Sequence, residues 1–197
     1  MTAYIAFDKY IVEEETPYGT GVPLSFDEET AARESSRRKN VVSWNRWLKV
    51  DVPGRESLLR MDEPLAGQSP EVFAALQKRN FLLTLFVTEG KKLYERMDGL
   101  IEGEDRKAES DRLFGEFCAE KLDFLASLPS GLDVLAYVNR KCRTHDMAKS
   151  SALLYSAGVK GALFGDASGE RILLYNAAKD ITVVEPRQGR LRGAASL

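Results

Sequence analysis

Few residues in this chain have the types and spacing that enzyme chemistry needs. The 197 residues include one histidine, His145, and two cysteines, Cys118 and Cys142. A single histidine excludes HExxH and every other metal motif built on several histidines. Two cysteines outside any CxxC pair exclude a four-cysteine zinc site and a disulfide-rich scaffold, so we expect two reduced, buried thiols and no metal site. A Ser-His-Asp triad would have to be built on His145.

The other chemically interesting residues each have a structural alternative. His145 precedes a predicted helix beside Asp146 and could act as a base, although a surface histidine near a helix cap is the commoner case. Trp44 and Trp47 could form a stacking platform for a base or a peptide, although packing on a sheet is their commoner fate. The sequence leaves both alternatives open.

A short basic cluster contrasts with the balanced charge of the whole chain. Arg140, Lys141 and Arg143 could grip a pyrophosphate or an acidic partner, or they could form a solvated basic patch. Lys and Arg total 28 against 30 Asp and Glu, so the net charge of -2 gives no overall reason to bind nucleic acid or an anionic membrane. The sequence contains no GxGxxG, GxxxxGK[ST], GxSxG or EF-hand motif.

The hydrophobic spacing predicts the elements that must position these residues. Strands at both ends of the chain flank a helical middle over 81–128, which is the α+β pattern. The cap signals are Ser25 with Glu28, Ser69 with Pro70, and Gly158 after a helix that ends at Ala157. Strands are predicted over 3–12, 41–52, 58–61, 161–164, 171–175 and 181–184. A loop is predicted over 13–21, a helix from 25 to about 39, and a frayed tail over 186–197. The segment 132–138 is predicted as a short strand, and a helix fits it nearly as well.

The N-terminus and the apolar runs bear on the compartment. Met1–Tyr4 lacks a basic segment followed by an apolar stretch, so no secretory signal is predicted. No apolar run reaches the roughly 18–20 residues that cross a bilayer. We therefore expect a cytoplasmic protein with no membrane partner.

Three blocks of sequence, taken in order, resemble a known family. The blocks are Gly21–Phe26 with Glu29-Thr30-Ala31; Trp47–Val52 followed by Leu58–Leu65 and Gln68–Val72; and Gly158–Phe164 with the closing Ile181-Thr182-Val183. They look like the ADP-ribosyltransferase-like domains of phage and plasmid polyvalent proteins, and their outline is similar to that of small phage anti-CRISPR ADP-ribosyltransferases.

The resemblance implies one domain over 1–197 with an NAD cleft between two small sheets. The ADP-ribosyltransferase-like core would cover 3–78 and 144–185, and 80–130 would be a helical insertion. The family implies a cytoplasmic location in the host cell. It also implies that the chain binds NAD and modifies an unidentified host or phage protein.

The resemblance also implies an acid near the last hairpin. In the family an acidic residue there orients the ribose and stabilises the positive charge that develops at the anomeric carbon. Asp166 occupies that place, with Glu170 and Glu185 as second choices. The alternative for Asp166 is a hairpin-turn aspartate that bonds its own backbone.

The residues expected on the NAD side of the cleft come from the early segment. Ser25 matches the block that supplies a hydroxyl beside the nicotinamide, although the capping box makes it a candidate helix cap. Tyr18 and Thr20 are further cleft candidates, with a plain loop as the alternative. The family usually has a His or Arg on the first strand to hold the ribose. The first strand of this chain has neither, and Tyr4 could hydrogen-bond the ribose or simply pack.

That departure leaves two functional alternatives beside the NAD-dependent enzyme. The chain could be an inactive member of the fold that binds and inhibits a host defence complex, with the helical insertion as a partner or dimer surface. It could also be a structural or assembly protein of a phage, which predicts stable self-association.

Overall fold

The computed structural model describes residues 2–6, 14–16, 18–25, 46–100, 105–142, 147–166 and 169–188. Strands lie at both ends and helices between them, so the fold is α+β as the sequence predicts. The strands are β1 Thr2–Ala6, β2 Glu14–Thr16, β3 Gly19–Ser25, β4 Arg46–Asp51, β5 Leu58–Arg60, β6 Gly161–Asp166, β7 Gly169–Leu174 and β8 Thr182–Gln188. The α-helices are α1 Pro70–Leu76, α2 Arg79–Leu85, α3 Val87–Asp98, α4 Asp105–Ala126, α5 Gly131–Lys141, α6 Met147–Ala157 and α7 Ala177–Asp180.

The chain divides into two compact units. The first, here called the sheet unit, comprises 1–59 and 160–197, and the second, the helical unit, comprises 60–159. The helical unit begins earlier and ends later than the helical insertion predicted over 80–130. Two segments that are distant in the sequence thus build the sheet unit together.

The described strands form one connected sheet. Its order is β5-β6-β7-β3-β1-β4-β8, and β2 pairs with β3 outside this path. The resemblance implies two sheets, whereas here the first residues of β3 pair with β2 and its later residues pair with β1 and β7. The ladders between β1, β3, β4, β7 and β8, and the β6–β7 hairpin, are antiparallel.

One face of this sheet carries the apolar core of the sheet unit. Leu24 pairs with Ile172, which pairs with Leu163, and all three side chains are buried. Directly paired residues project from the same face of a sheet, so this row forms a continuous apolar strip. The core cluster consists of Ala3, Val22, Leu24, Val50, Val52, Leu58, Leu163, Ile172 and Leu174, with Ile181 packed against it.

Two segments of the sheet unit are more regular than expected. The predicted loop over 13–21 contains the β2–β3 hairpin, in which Glu14 pairs with Gly21 and Thr16 with Gly19. Strand β8 continues to Gln188, three residues into the predicted frayed tail, and it pairs there with β4. Its Pro186 is compatible with β8 as the last strand of the sheet, because one edge of such a strand needs no donor. The predicted helix after Ser25 and the rest of the tail lie outside the described residues.

One helix of the helical unit begins and another ends where the cap signals predict. Ser69 Oγ accepts the Val72 N–H at 3.1 Å at the start of α1, and Pro70 occupies the first turn. Gly158 follows α6 with a φ of +118°, a value that favours glycine. The core between these helices contains fully buried leucines, namely Leu76, Leu82, Leu125, Leu135 and Leu154.

The prediction of a strand over 132–138 is wrong, and the alternative reading as a helix is right. Helix α5 begins after Ser130, whose Oγ accepts the Asp133 N–H at 3.2 Å. The first turn is held further by main-chain bonds from Gly131 N–H to the Glu63 carbonyl and from Leu132 N–H to the Met61 carbonyl. The Ser-x-x-Asp spacing is a helix start signal that outweighs the β-branched composition.

Candidate functional site

An aromatic stack joins the early hairpin to the late one. The rings of Tyr18 and Phe164 lie almost parallel, with centroids 4.2 Å apart and an interplanar angle of 18°. Ser25 and Phe164 both pair with Arg171, and Tyr18 is seven residues before Ser25, so a straight β3 would carry Tyr18 about 24 Å from Phe164 along the strand direction. The contact therefore requires β3 to bend over the face that carries Phe164.

A buried tyrosine fixes the base of this bend. The Tyr175 hydroxyl donates to the Tyr18 carbonyl at 3.2 Å, and the Tyr175 N–H donates to the Lys160 carbonyl at 3.0 Å. Burial raises the pKa of Tyr175 well above its ordinary value, because the ionised phenolate would lose its hydration. Tyr175 is thus a neutral hydrogen-bond donor that holds Tyr18 in place.

Main-chain register aligns three positions from distant parts of the chain. Tyr4 on β1 pairs with Ser25 on β3, and Ser25 pairs with Arg171 on β7. Paired Cα atoms in antiparallel ladders are about 4.5–5.5 Å apart, so these positions form one row across three strands. The positions predicted for the nicotinamide side, Ser25, and the ribose side, Tyr4, are therefore neighbours, and Arg171 is the next position in the row.

The row continues from Arg171 to Phe164 on β6. Direct pairing puts the Arg171 and Phe164 side chains on one face, the face where Tyr18 stacks. Arg171 is half-buried, and Ile172 beside it points to the apolar core on the opposite face. An aromatic pair and a guanidinium thus occupy one face of the sheet.

Glu170, one of the two acidic residues of the late hairpin, lies on the other face of the sheet. Alternation along β7 puts Glu170 on the side of Ile172, opposite Arg171 and Phe164. Its carboxylate pairs with Arg55 at 2.5 Å, and both side chains are partly exposed, which limits this pair to at most about 1 kcal/mol of stabilisation. The structure therefore separates Glu170 from the Tyr18–Phe164 stack.

Asp166 lies at the end of the β6–β7 hairpin, where its backbone pairs with Gly169. It is two residues beyond Phe164, which stands in the row of Ser25 and Arg171. With strands spaced about 4.8 Å apart and a rise of about 3.4 Å per residue, the backbones of Asp166 and Ser25 are about 12 Å apart. The backbone of Ser25 at the end of β3 and that of Asp166 at the β6–β7 turn therefore lie toward the same end of the sheet. Thr20 is not part of this group, because it lies on the stretch of β3 that pairs with Glu15 on β2.

The remaining sequence candidates are dispersed. His145, Asp146, Arg143 and Trp44 lie outside the described residues, and the backbones of Trp47 and Glu185 are in the β4–β8 ladder. Arg140 and Lys141 lie 5.3 and 5.5 Å from the ring centroid of Tyr137, in the helical unit. Across the described ranges, no three His, Cys, Asp or Glu residues are grouped so that they could hold a metal ion.

The sequence predicts no site role for four residues of this region, namely Arg55, Phe164, Arg171 and Tyr175. Phe164 ends the block Gly158–Phe164, but neither that block nor the sequence around Arg171 indicates a site role for these two residues. Their positions on one face follow from the pairing of β7 with β3 and β6. Comparisons of the chain with protein-family models, curated proteins and solved structures found no match. Within the residues that the structure describes, no helix has both the length and the apolarity that a membrane span requires.

Proposed function

We propose that this chain is an ADP-ribosyltransferase-like protein of a phage or prophage that binds NAD and modifies a host protein. The observation that carries the proposal is the meeting of the early and late segments. Tyr4, Ser25 and Arg171 are register neighbours, and the Tyr18 ring lies on Phe164, two residues before Asp166. The family resemblance implies that these segments lie together in the fold. The local sequence of each segment does not by itself predict that they do.

The face with the aromatic pair and the guanidinium suits the two ends of a dinucleotide. Aromatic rings offer a flat apolar surface to a nicotinamide or an adenine. A guanidinium donates to phosphate oxygens in a bidentate manner. We assign to Arg171 the cationic role that the family gives to a His or Arg on the first strand. Arg171 pairs with Ser25, which pairs with Tyr4, so the Arg171 position is two strands from the Tyr4 position in the same row.

The acid that fits the proposal best is Asp166. When NAD loses nicotinamide, positive charge develops at the anomeric carbon, and a nearby carboxylate stabilises it. Glu170 is a poorer choice because it is on the opposite side of β7 from the aromatic pair and is already paired with Arg55. The assignment therefore separates two carboxyl groups that the sequence alone leaves as alternatives.

The deciding experiment measures NAD binding and turnover in the same protein. We expect NAD at a hundredfold excess over its dissociation constant to stabilise the fold by about 2.7 kcal/mol. Asp166→Asn should abolish release of nicotinamide yet keep that stabilisation, since the carboxylate acts mainly on the developing charge. Arg171→Gln should weaken the stabilisation.

Glu170→Gln is the matched control. It changes a carboxyl group in the same hairpin and should leave turnover close to the unmodified level. If millimolar NAD moves no unfolding midpoint and no nicotinamide is released, the proposal fails. If Glu170→Gln rather than Asp166→Asn abolishes turnover, the assignment of the acid is wrong while the function stands.

A second function is favoured by one specific observation. The first strand lacks the His or Arg that the family uses to hold the ribose, and the Tyr18 ring is stacked on Phe164. An inactive member of the fold that inhibits a host defence complex by binding it needs neither an open cleft nor NAD. It predicts inhibition of that complex by the Asp166→Asn variant at the same protein concentration as by the unmodified chain.

A further inference from the structure

A cleft in the helical unit brings basic and polar side chains together over an apolar floor. Its volume is about 330 Å³, and helices α2 and α6 form its walls. The lining residues are Lys78, Arg79, Asn80, Phe81, Thr84, Leu153, Ser156 and Ala157. None of the proposed NAD-binding residues belongs to it. The volume is at the lower end of the range for small-molecule sites.

The charge of the lining is positive. Lys78 and Arg79 are adjacent in sequence, and the lining contains no acidic residue. Of the carboxylates in the described part of the chain, none forms an ion pair with either cation. With respect to the described residues, a bound anion would therefore supply a countercharge to both side chains.

The guanidinium of Arg79 is held in place by an aromatic ring. Its central carbon lies 4.0 Å from the ring centroid of Phe114 on α4. Stacking on a ring fixes the plane of a guanidinium while leaving its N–H groups free to donate at the edges. Such a pre-oriented fork loses less side-chain entropy when it binds an oxyanion.

Lys78 reaches toward the end of α6. Its Nζ lies 3.3 Å from the point that a Cβ on Gly158 would occupy. The main-chain N–H groups of Gly158 and Val159 bond the carbonyls of Leu154 and Tyr155, which removes part of the negative potential at this helix end. Because Gly158 has no Cβ, the Lys78 ammonium fits beside it without crowding.

The remaining lining residues define the rest of the ligand. Asn80 and Thr84 are four residues apart on α2, so they share one face of the helix and add an amide and a hydroxyl donor. Phe81, Leu153 and Ala157 supply apolar surface. Two cations match a dianion, and the apolar floor matches a short carbon chain. We propose that this cleft binds a small phosphate monoester.

Glycerol 3-phosphate is the test ligand, titrated into the full chain by calorimetry, with inorganic phosphate and glycerol as separate arms. We expect saturable binding of glycerol 3-phosphate, weaker binding of inorganic phosphate and none of glycerol. Lys78→Gln and Arg79→Gln should each weaken glycerol 3-phosphate binding by about tenfold. Lys92→Gln, an exposed lysine on α3 away from the cleft, should leave it unchanged.

Amide chemical shifts locate the bound ligand independently of the variants. Glycerol 3-phosphate should shift the resonances of Asn80, Thr84 and Ser156. The absence of saturable binding at millimolar ligand, equal effects of Lys92→Gln and Lys78→Gln, or shifts confined to the sheet unit would each overturn the proposal. Equal affinity for inorganic phosphate would overturn the proposal that the ligand is a phosphate monoester, because the cleft would then recognise the phosphate group alone.

Discussion

The ring of Tyr18 stacks on the ring of Phe164 at 4.2 Å between centroids, and it thereby ties the β2–β3 hairpin to the β6–β7 hairpin. The ladder between β3 and β7 joins the same segments through main-chain bonds from Val22 to Ser25. The stack adds a side-chain contact at the far end of β3, beyond the bend.

We predict that the stack contributes measurable coupling energy. In a double-mutant cycle, Tyr18→Ala and Phe164→Ala should show a coupling of about 0.5–1.5 kcal/mol, the range for aromatic pairs. The measurement is urea unfolding of the two single variants and the double variant. Tyr18→Phe keeps the ring and should be close to neutral. Strict additivity of the two alanine variants would contradict the described stack.

Tyr175 should make stability fall at alkaline pH. Because its pKa is higher in the folded than in the unfolded state, its contribution is present below about pH 10 and is lost as the pH rises further, by at most about 1.4 kcal/mol per pH unit. Tyr175→Phe lacks the hydrogen bond to the Tyr18 carbonyl and should be about 1 kcal/mol less stable at pH 8.

The difference between Tyr175→Phe and the unmodified chain isolates this residue from other alkaline titrations. Denaturant unfolding between pH 8 and about pH 11.5 should show the gap narrowing above pH 10 and then reversing. A gap that stays constant over this interval would mean that Tyr175 is not buried as described.

A buried glutamine should be one of the most sensitive positions in the helical unit. Gln68 Oε1 accepts the Arg60 N–H at 2.8 Å, and its Nε2 donates to the carbonyls of Arg60 and Glu63 at 2.8 and 2.9 Å. Gln68→Ala should cost about 2 kcal/mol or more, because it leaves these main-chain groups without their partner. Unfolding by urea measures the loss.

Two further variants test the reason for that loss. Gln68→Glu keeps the acceptor but cannot donate when ionised, so it should be destabilised at neutral pH and recover partly as the pH falls and the carboxyl group gains a proton. Gln77→Ala, at an exposed glutamine, should stay within about 0.5 kcal/mol of the unmodified chain. Equal losses for Gln68→Ala and Gln77→Ala would refute the described hydrogen bonds.

Two glycines should respond to alanine with opposite signs. A Cβ on Gly161 would lie 2.3 Å from the Leu173 carbonyl oxygen, so Gly161→Ala should destabilise by about 1–3 kcal/mol. A Cβ on Gly115 would meet nothing within 4 Å, and this residue lies inside α4. Gly115→Ala should stabilise by about 1 kcal/mol through helix propensity. Thermal unfolding of both variants checks the pair, and a gain in stability at Gly161 would contradict the close approach of β6 and β7.

The helix boundaries and the late hairpin could be predicted because their signals are local. Ser69 and Gly158 bond or bend the backbone within a few residues of themselves, so the printed sequence contains the whole signal. The prediction of a strand over 132–138 is wrong because Ser130 and Asp133 start a helix there, and this start signal is itself present in the sequence. In that segment β-branched composition was the weaker signal.

The α+β class, two helix caps and the residue types available for chemistry follow from the amino-acid sequence. The pairing of Ser25 with Arg171, the stack of Tyr18 on Phe164 and the cleft lined by Lys78 and Arg79 arise from the three-dimensional arrangement of the chain. Caps and periodicity depend on bonds between residues that are near in the chain. Strand order, register and helix packing depend on which apolar faces meet across many residues, and a one-residue shift of register would turn Arg171 to the opposite face.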